Sequence, residues 1–450
     1  MWRYRPVLAF VGLGYVGLTT AVCFASRGFK VYGYDVDKEK VDNIMSGHPT
    51  FYEPGVDELL AKSLEEGNFR CVKSFRDLVW SSDVIFITVG TPSLPDGSTD
   101  LSFVEEASRC IGLTMRGVES FKLVVVKSTV PPGTTEGLVK SMIESESKKT
   151  CGVDFGLCMN PEFLREGSAV YDTFNPDRIV IGEFDERSGE ALEKLYKMFY
   201  GDNVPPILRT STVNAELIKY ASNAFLATKI SFINMIARLC QKLPKADVTV
   251  VAQGMGLDRR IGPHFLRAGL GWGGSCFPKD VLSLINLGRK LGAKQSIAEA
   301  AWQVNVEQPD EAIFMAKMEY PSLRALRVAV LGLAFKPNTD DVRNAVSLHI
   351  INRLLEERAE VVVYDPAAMN NVRKIYGSTI TYAKSPIDCI RDADLAIIVT
   401  EWDEFKELKP EDYKQYMRKP VVIDGRRIYD PVEYERLGVK MYAIGRTVHS

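Results

Sequence analysis

Residue types and spacings that could do chemistry occur at several places in this 450-residue sequence. The run Gly269-Leu270-Gly271-Trp272-Gly273-Gly274-Ser275-Cys276-Phe277-Pro278-Lys279-Asp280 sets one cysteine behind a glycine-rich turn and just ahead of a proline. Glycine lets backbone come close to a ligand, and proline suits the first turn of a helix. Cys276 is therefore expected at a helix N-terminus, where unpaired N–H groups and the dipole favour a thiolate, with Lys279 adding positive charge. A free cysteine is more often a buried structural residue, and the run alone leaves both readings open. Glu162 and Glu166 in Asn160-Pro161-Glu162-Phe163-Leu164-Arg165-Glu166-Gly167 could transfer protons, although paired acids are usually solvated. Lys219 and Asn223 lie four apart in a helical pattern and share a face, where a lysine is more often a snorkelling surface residue than a reactive one.

These residues need elements to hold them. Val7-Leu8-Ala9-Phe10-Val11 is a continuous apolar run, as in a strand buried on both faces of a parallel sheet. It leads into Gly12-Leu13-Gly14-Tyr15-Val16-Gly17, then a helical pattern ended by Gly28, then a second strand finishing at Asp35. This is GxGxxG between strand and helix, with an acid about twenty residues on, the arrangement that binds a dinucleotide. Gly12 makes the turn, Gly14 admits a pyrophosphate to the helix N-terminus, and Gly17 allows close packing. Asp35 would accept from ribose hydroxyls and repel a 2′-phosphate, which favours NAD over NADP.

Further strands are expected at residues 83–89 and 123–126, each running into a polar or Pro/Gly turn at its carboxyl end, where open α/β sheets bind ligands. Residues 144–149 read as a polar loop. From Ser211 or Thr212, either a fair N-cap, to Leu243 the pattern is helical without Gly or Pro, long enough to link two domains. A shorter helix is expected at residues 297–305, and new buried strands at residues 327–331, 360–364, 395–399 and 421–424. They echo the opening of the chain, but Gly332 has no matching second and third glycine. The expected fold is α/β, two doubly wound Rossmann-like domains joined by a long central helix, with boundaries at 1–205, 206–310 and 311–450.

The formal net charge of −2 provides no electrostatic footprint for nucleic acid or an anionic membrane. Eight cysteines without a CxxC pair and four scattered histidines argue against a disulfide framework and a metal site. No signal-peptide pattern precedes the first strand and no apolar run is long enough to span a bilayer, so a reducing, cytoplasmic setting is expected.

Taken together the motifs resemble the UDP-glucose/GDP-mannose dehydrogenase family over nearly the whole chain. They are GLGYVG at residues 12–17, VGTP at 89–92, KSTVPPGT at 127–134, NPEFLREG at 160–167, GGSCFPKD at 273–280, AFKPNTDDVR at 334–343 and DGRR at 424–427. The FPKD ending and Arg260-Ile261-Gly262 favour the UDP-glucose branch over the GDP-mannose branch. Ala345-Val346 stands where the family often has Ser-Pro, and Trp272 is expected to reshape the sugar pocket. The resemblance implies oxidation of UDP-glucose to UDP-glucuronate, a four-electron change that consumes two NAD, with thiohemiacetal and thioester intermediates on a cysteine.

By the same resemblance Cys276 is the nucleophile. Lys219 and Asn223 stabilise the oxyanion, Asp280 and Thr129 manage protons, and Glu162 activates the hydrolytic water. Phe163, Leu164, Lys219, Asn223, Phe265, Gly273, Phe335, Lys336 and Arg426 are implied for the substrate, with Arg260 reaching in from a partner subunit of a homodimer or higher oligomer. Gly12, Gly14, Tyr15, Val16, Gly17, Asp35, Lys40, Thr91, Thr129, Glu166 and Arg343 fall to NAD. The residues 206–310 would then carry the catalytic cysteine and 311–450 the UDP-sugar site. A two-electron hydroxyacid dehydrogenase would share the first domain but not need Cys276. A non-catalytic nucleotide-binding regulator would have no reason to keep Cys276, Lys219, Glu162 and Asp280 together.

Overall fold

The apolar run at the start of the chain forms β1 (Leu8–Val11), all four residues buried. It lies at the centre of a sheet that also contains β2 (Val31–Tyr34), β3 (Phe69–Cys71), β4 (Val84–Ile87), β5 (Lys122–Val126), β6 (Phe155–Met159), β7 (Ile179–Glu183) and β8 (Ile207–Ser211). The order is β3-β2-β1-β4-β5-β6-β7-β8, parallel throughout except between β6 and β7. Runs such as Val84–Ile87 are apolar at every position because helices cover both faces, and separate cores lie on the two sides.

A second sheet holds β9 (Arg327–Leu331), β10 (Glu360–Tyr364), β11 (Thr381–Tyr382), β12 (Leu395–Ile398), β13 (Val421–Asp424) and β14 (Lys440–Ala443), ordered β11-β10-β9-β12-β13-β14 and parallel throughout. This is the doubly wound order of dinucleotide-binding folds, and the first six strands of the other sheet follow it too. The computed structural model describes residues 4–447, and the chain divides into two compact units, Met1–Ser222 and Asn223–Ser450.

The long helix expected from residue 211 is Thr212–Cys240. Ser211 caps it by accepting from the Asn214 N–H at 3.3 Å. It stops short of Leu243 because Lys242 and Leu243 donate three residues back, to Leu239 and Cys240, tightening the last turn ahead of Pro244. The polar loop expected at residues 144–149 is corrected. Helix Ser141–Ser147 occupies most of it, ended by Lys148 at φ 62°. No Gly or Pro interrupts this stretch, and Glu144 supports it by pairing with Lys140 at 3.8 Å and accepting from the Cys151 N–H.

Candidate active site

In the first unit, neighbouring strands β1, β4, β5 and β6 end in the GLGYVG turn and in residues 88–92, 127–134 and 160–167. Gly12 takes φ 95°, and a Cβ on Gly17 would lie 1.9 Å from the Gly12 carbonyl oxygen, so turn and helix pack too closely for any side chain there. Gly14 differs. A Cβ on it would meet nothing within 4 Å, so the chain's own packing does not demand a glycine. The open space lies at the start of helix Tyr15–Ser26, which has no side-chain cap and no acid in its first turn. Free N–H groups and the helix dipole there, beside Tyr15 and Val16, fit a pyrophosphate.

Asp35 ends β2 with its carboxylate accepting from the Leu13 N–H (2.8 Å), the Asp37 N–H (3.0 Å) and Lys40 Nζ (2.9 Å). A carboxylate offers about four acceptor positions, which leaves capacity for a ribose hydroxyl. Turn, helix end and acid together fit a dinucleotide. Thr91 Oγ1 donates to the Thr129 carbonyl oxygen at 2.9 Å and so joins the next two turns.

Glu162 is buried with Lys219, their Oε1 and Nζ 2.9 Å apart and their side chains 7% and 4% exposed. The expected snorkelling lysine is thus an interior cation. Its ammonium also lies 5.5 Å from the Phe163 ring centroid, while Leu164 donates its N–H to Glu162 Oε2 at 2.6 Å. Burial alone would push the Glu162 carboxyl up. The charge and hydrogen bond of Lys219, the Leu164 N–H and the charge of Lys127 outweigh it and hold the group below its ordinary value. Lys127 donates to Asn160 Oδ1 (3.0 Å) and Tyr196 Oη (3.5 Å), and burial pushes its ammonium down to about 8.

In the second unit Cys276 occupies the N-cap of helix Phe277–Lys290, with Pro278 in the first turn. It is half-buried. Burial pushes up the thiols of Cys23, Cys71, Cys110, Cys151, Cys158, Cys240 and Cys389, which disfavours their thiolate forms. One turn into the helix, Asp280 Oδ1 accepts from Lys279 Nζ (2.6 Å) and Oδ2 from Asn223 Nδ2 (2.6 Å). Just ahead of the cysteine the chain threads a narrow gap. A Cβ on Gly273 would lie 2.2 Å from the Asn344 carbonyl oxygen and one on Gly274 2.7 Å from the Phe335 ring. Gly274 donates its N–H to the Arg343 carbonyl oxygen at 2.9 Å. Gly273, Phe335 and the backbone of Arg343 are thereby brought together.

The irregular backbone of residues 269–273 is buried, and side chains supply the partners that secondary structure would have provided. The Gly269 N–H donates to Asn234 Oδ1 (2.8 Å), and Gln308 Nε2 donates to the Gly269 carbonyl oxygen (2.8 Å). Asn305 takes the Trp272 N–H (2.7 Å) and donates back to the Trp272 carbonyl oxygen (2.9 Å). Arg426 reaches the Gly271 carbonyl oxygen at 3.2 Å and the Val399 carbonyl oxygen at 2.6 Å, so it ties the turn to the residue after β12. Trp272 itself is a core residue. Its indole donates to Ser231 Oγ at 2.9 Å, its ring packs with Trp302, Val281 and Ile285, and 6% of it is exposed.

The turn after β9 repeats that after β1 only in part. Gly332 takes φ 99° and donates to the Tyr364 carbonyl oxygen, as Gly12 does to Tyr34. Asp365 matches Asp35, but it accepts from five donors, the N–H groups of Leu333, Ala334, Ala367 and Ala368 and the Trp402 indole, and is 1% exposed. Instead of entering a helix, the chain passes through Phe335 and Lys336, whose ammonium lies 5.6 Å from its neighbour's ring, and the next helix starts only at Val346. Three expected site residues are less enclosed. Phe265 is partly exposed at φ 64°, Arg343 pairs through its side chain with Asp341 (2.7 Å), and Arg260, with an 89% exposed side chain, pairs with Asp258 (2.6 Å).

Sequence reasoning missed the residues that brace these segments. Glu216, fully buried, accepts from the Gly133 N–H (2.5 Å) and from the N–H and hydroxyl of Thr135 (2.7 and 2.6 Å). Its signal was an acid one helical turn before Lys219. Glu53, beside Pro54-Gly55, is the other, while Asn234 and Asn305 read as ordinary polar positions on helices and Gln308 as one in the turn before Pro309. Among the described residues, no group of three or more His, Cys, Asp or Glu could hold a metal ion, and no helix is long and apolar enough to cross a membrane.

Comparison with known proteins places these features in a wider set. Three family models match in sequence order, described as the NAD binding, central and UDP binding domains of the UDP-glucose/GDP-mannose dehydrogenase family, over residues 7–200, 213–307 and 329–431. The chain is 42% identical to the UDP-glucose 6-dehydrogenase AglM of Haloferax volcanii over 434 residues, 96% of this chain and 99% of that one. It is 40% identical to the UDP-glucose 6-dehydrogenase TuaD of Bacillus subtilis over 439 residues, 98% of this chain and 93% of that one. A solved UDP-glucose dehydrogenase from Pyrobaculum islandicum shares the fold with a TM-score of 0.91 at 42% identity, covering 99% of this chain and all of that one.

Proposed function

The chain belongs to the UDP-glucose/GDP-mannose dehydrogenase family, and from that membership we propose that it oxidises UDP-glucose to UDP-glucuronate, using two NAD per substrate. The observation that carries the four-electron reading is Cys276, half-buried at the N-cap of a helix with Pro278 in its first turn. NAD supplies the hydride acceptor for each two-electron step. It would be held by Gly12, Gly14, Tyr15, Val16, Gly17, Asp35, Lys40, Thr91, Thr129, Glu166 and Arg343.

The chain's own groups manage carbon, oxygen and protons. The Cys276 thiolate adds to the aldehyde carbon, a C–S bond forms, and the carbonyl oxygen becomes an oxyanion. Lys219, helped by Asn223, stabilises that charge. Once the thiohemiacetal has been oxidised to the thioester, Glu162 takes a proton from the attacking water, the C–S bond breaks and the thiolate is regenerated. Asp280 and Thr129 relay protons, and Phe163, Leu164, Phe265, Gly273, Phe335, Lys336 and Arg426 shape the sugar-nucleotide site. This assignment divides the chain at 1–205, 206–310 and 311–450. A reducing, cytoplasmic setting suits a thiolate nucleophile.

The active unit is a homodimer in this reading, with Arg260 of each copy serving its partner. Its support is a row of exposed apolar side chains on the long helix, Phe225, Phe232, Met235 and Leu239.

The test is a count of NADH formed per UDP-glucose by the purified chain, run beside Cys276→Ser. The wild type is expected to yield two NADH and UDP-glucuronate. The variant should bind NAD normally yet form no acid. One NADH per substrate from the wild type, or full acid formation by the variant, sinks the assignment.

A further inference from the structure

Glu53 lies in the connection between helices Lys38–Met45 and Val56–Glu65, in none of the motifs that drew attention to the chain, and is 4% exposed. Its two oxygens meet only donors. Oε1 accepts from the Ala169 N–H at 2.7 Å, and Oε2 accepts from the Gly167 N–H at 2.5 Å and from the Tyr15 hydroxyl. Tyr15 opens the helix of the GLGYVG turn, packs its ring 5.1 Å from Phe51, and also donates to the Arg165 carbonyl oxygen at 3.4 Å. Gly167 and Ala169 follow directly on Glu166, at the end of the segment that starts with Asn160 and Glu162. One buried carboxylate, 114 residues before Gly167, therefore fastens the first residue of the glycine-turn helix to the loop after β6. Burial of an anion among hydrogen-bond donors stabilises one arrangement of those donors strongly.

We propose that Glu53 is a positioning residue for the cofactor, holding Tyr15 and the Glu166 peptide in one fixed register. The proposal rests on the reading of the first unit as the NAD site. Two of its three donors are backbone N–H groups that cannot turn to accept, so an isosteric amide must leave one of them facing an NH2 group.

Glu53→Gln in the full chain is the test, with both substrates varied and NAD binding measured directly by titration. The KM and Kd for NAD should rise about tenfold, the loss expected for one charge-assisted hydrogen bond, while the KM for UDP-glucose stays within about twofold. Tyr15→Phe removes the phenol donor alone and should raise the NAD KM less. The double variant should fall short of the product of the two effects, because both cut the same link. An unchanged NAD KM in Glu53→Gln, or an equal rise for both substrates, overturns the proposal. If Glu53→Gln does not fold, Tyr15→Phe decides by the same split. A wild-type chain that binds no NAD would instead overturn the cofactor reading on which the proposal stands.

Discussion

Burial and charge pull Glu162 in opposite directions, and Lys219 decides the outcome. Removing one partner of a buried ion pair leaves an uncompensated charge, so Lys219→Met should lower the unfolding free energy at pH 7 by about 3–5 kcal/mol. The pH dependence has a definite sign. The lowered folded-state value of Glu162 contributes stability that is full above the ordinary carboxylate range and is lost as pH falls through that lowered value. In Lys219→Met burial is opposed only by the Leu164 N–H and the Lys127 charge, so the group rises, which destabilises the fold at neutral pH but not once the carboxyl is protonated. Denaturant unfolding should therefore show a gap between wild type and variant that narrows from pH 7 towards pH 3, and a gap of constant size would contradict the account. The position of Lys219 was legible, but its burial was not. On this helix Glu216, Lys219, Tyr220 and Asn223 are buried while Val213, Leu217 and Phe225 are exposed, the reverse of an amphipathic pattern.

At the scale of elements, the strands were readable because a parallel sheet covered on both faces demands continuous apolar runs. The helix beginning at Cys276 was readable because Pro278 and the glycines before it leave few alternatives. What holds the turn ahead of it was not readable, since Asn305 and Trp272 are 33 residues apart and neither type is unusual where it stands. Asn305→Leu keeps the volume and removes both hydrogen bonds to Trp272. It should cost roughly 1–3 kcal/mol for each backbone group left unpaired and reduce kcat without changing the KM for NAD. Thermal unfolding together with steady-state kinetics checks this, and a variant of wild-type stability would show that the amide clamp is dispensable.

At the scale of the whole molecule, a second doubly wound domain was legible from buried apolar runs, even though only Gly332 matches the first glycine motif, while the strand order the two sheets share came from the structure. Assembly was not, because exposed apolar residues on a helix do not say what covers them. If a second copy covers them, Phe232→Glu should convert a dimer to a monomer and abolish most activity, since Arg260 would no longer reach a partner. Light scattering on the eluting protein measures the mass. A wild-type monomer, or a variant of unchanged mass, would exclude this face.

Asp365 limits how the second sheet could be redesigned. Each of its five donors would need a new acceptor before the carboxylate could serve a ribose, and each buried donor left wanting costs about 1–3 kcal/mol. Placing glycines at Ala334 and Pro337 would therefore not create a second dinucleotide site. The acid is a structural keystone, and single substitutions do not turn the second sheet's opening into a cofactor cradle.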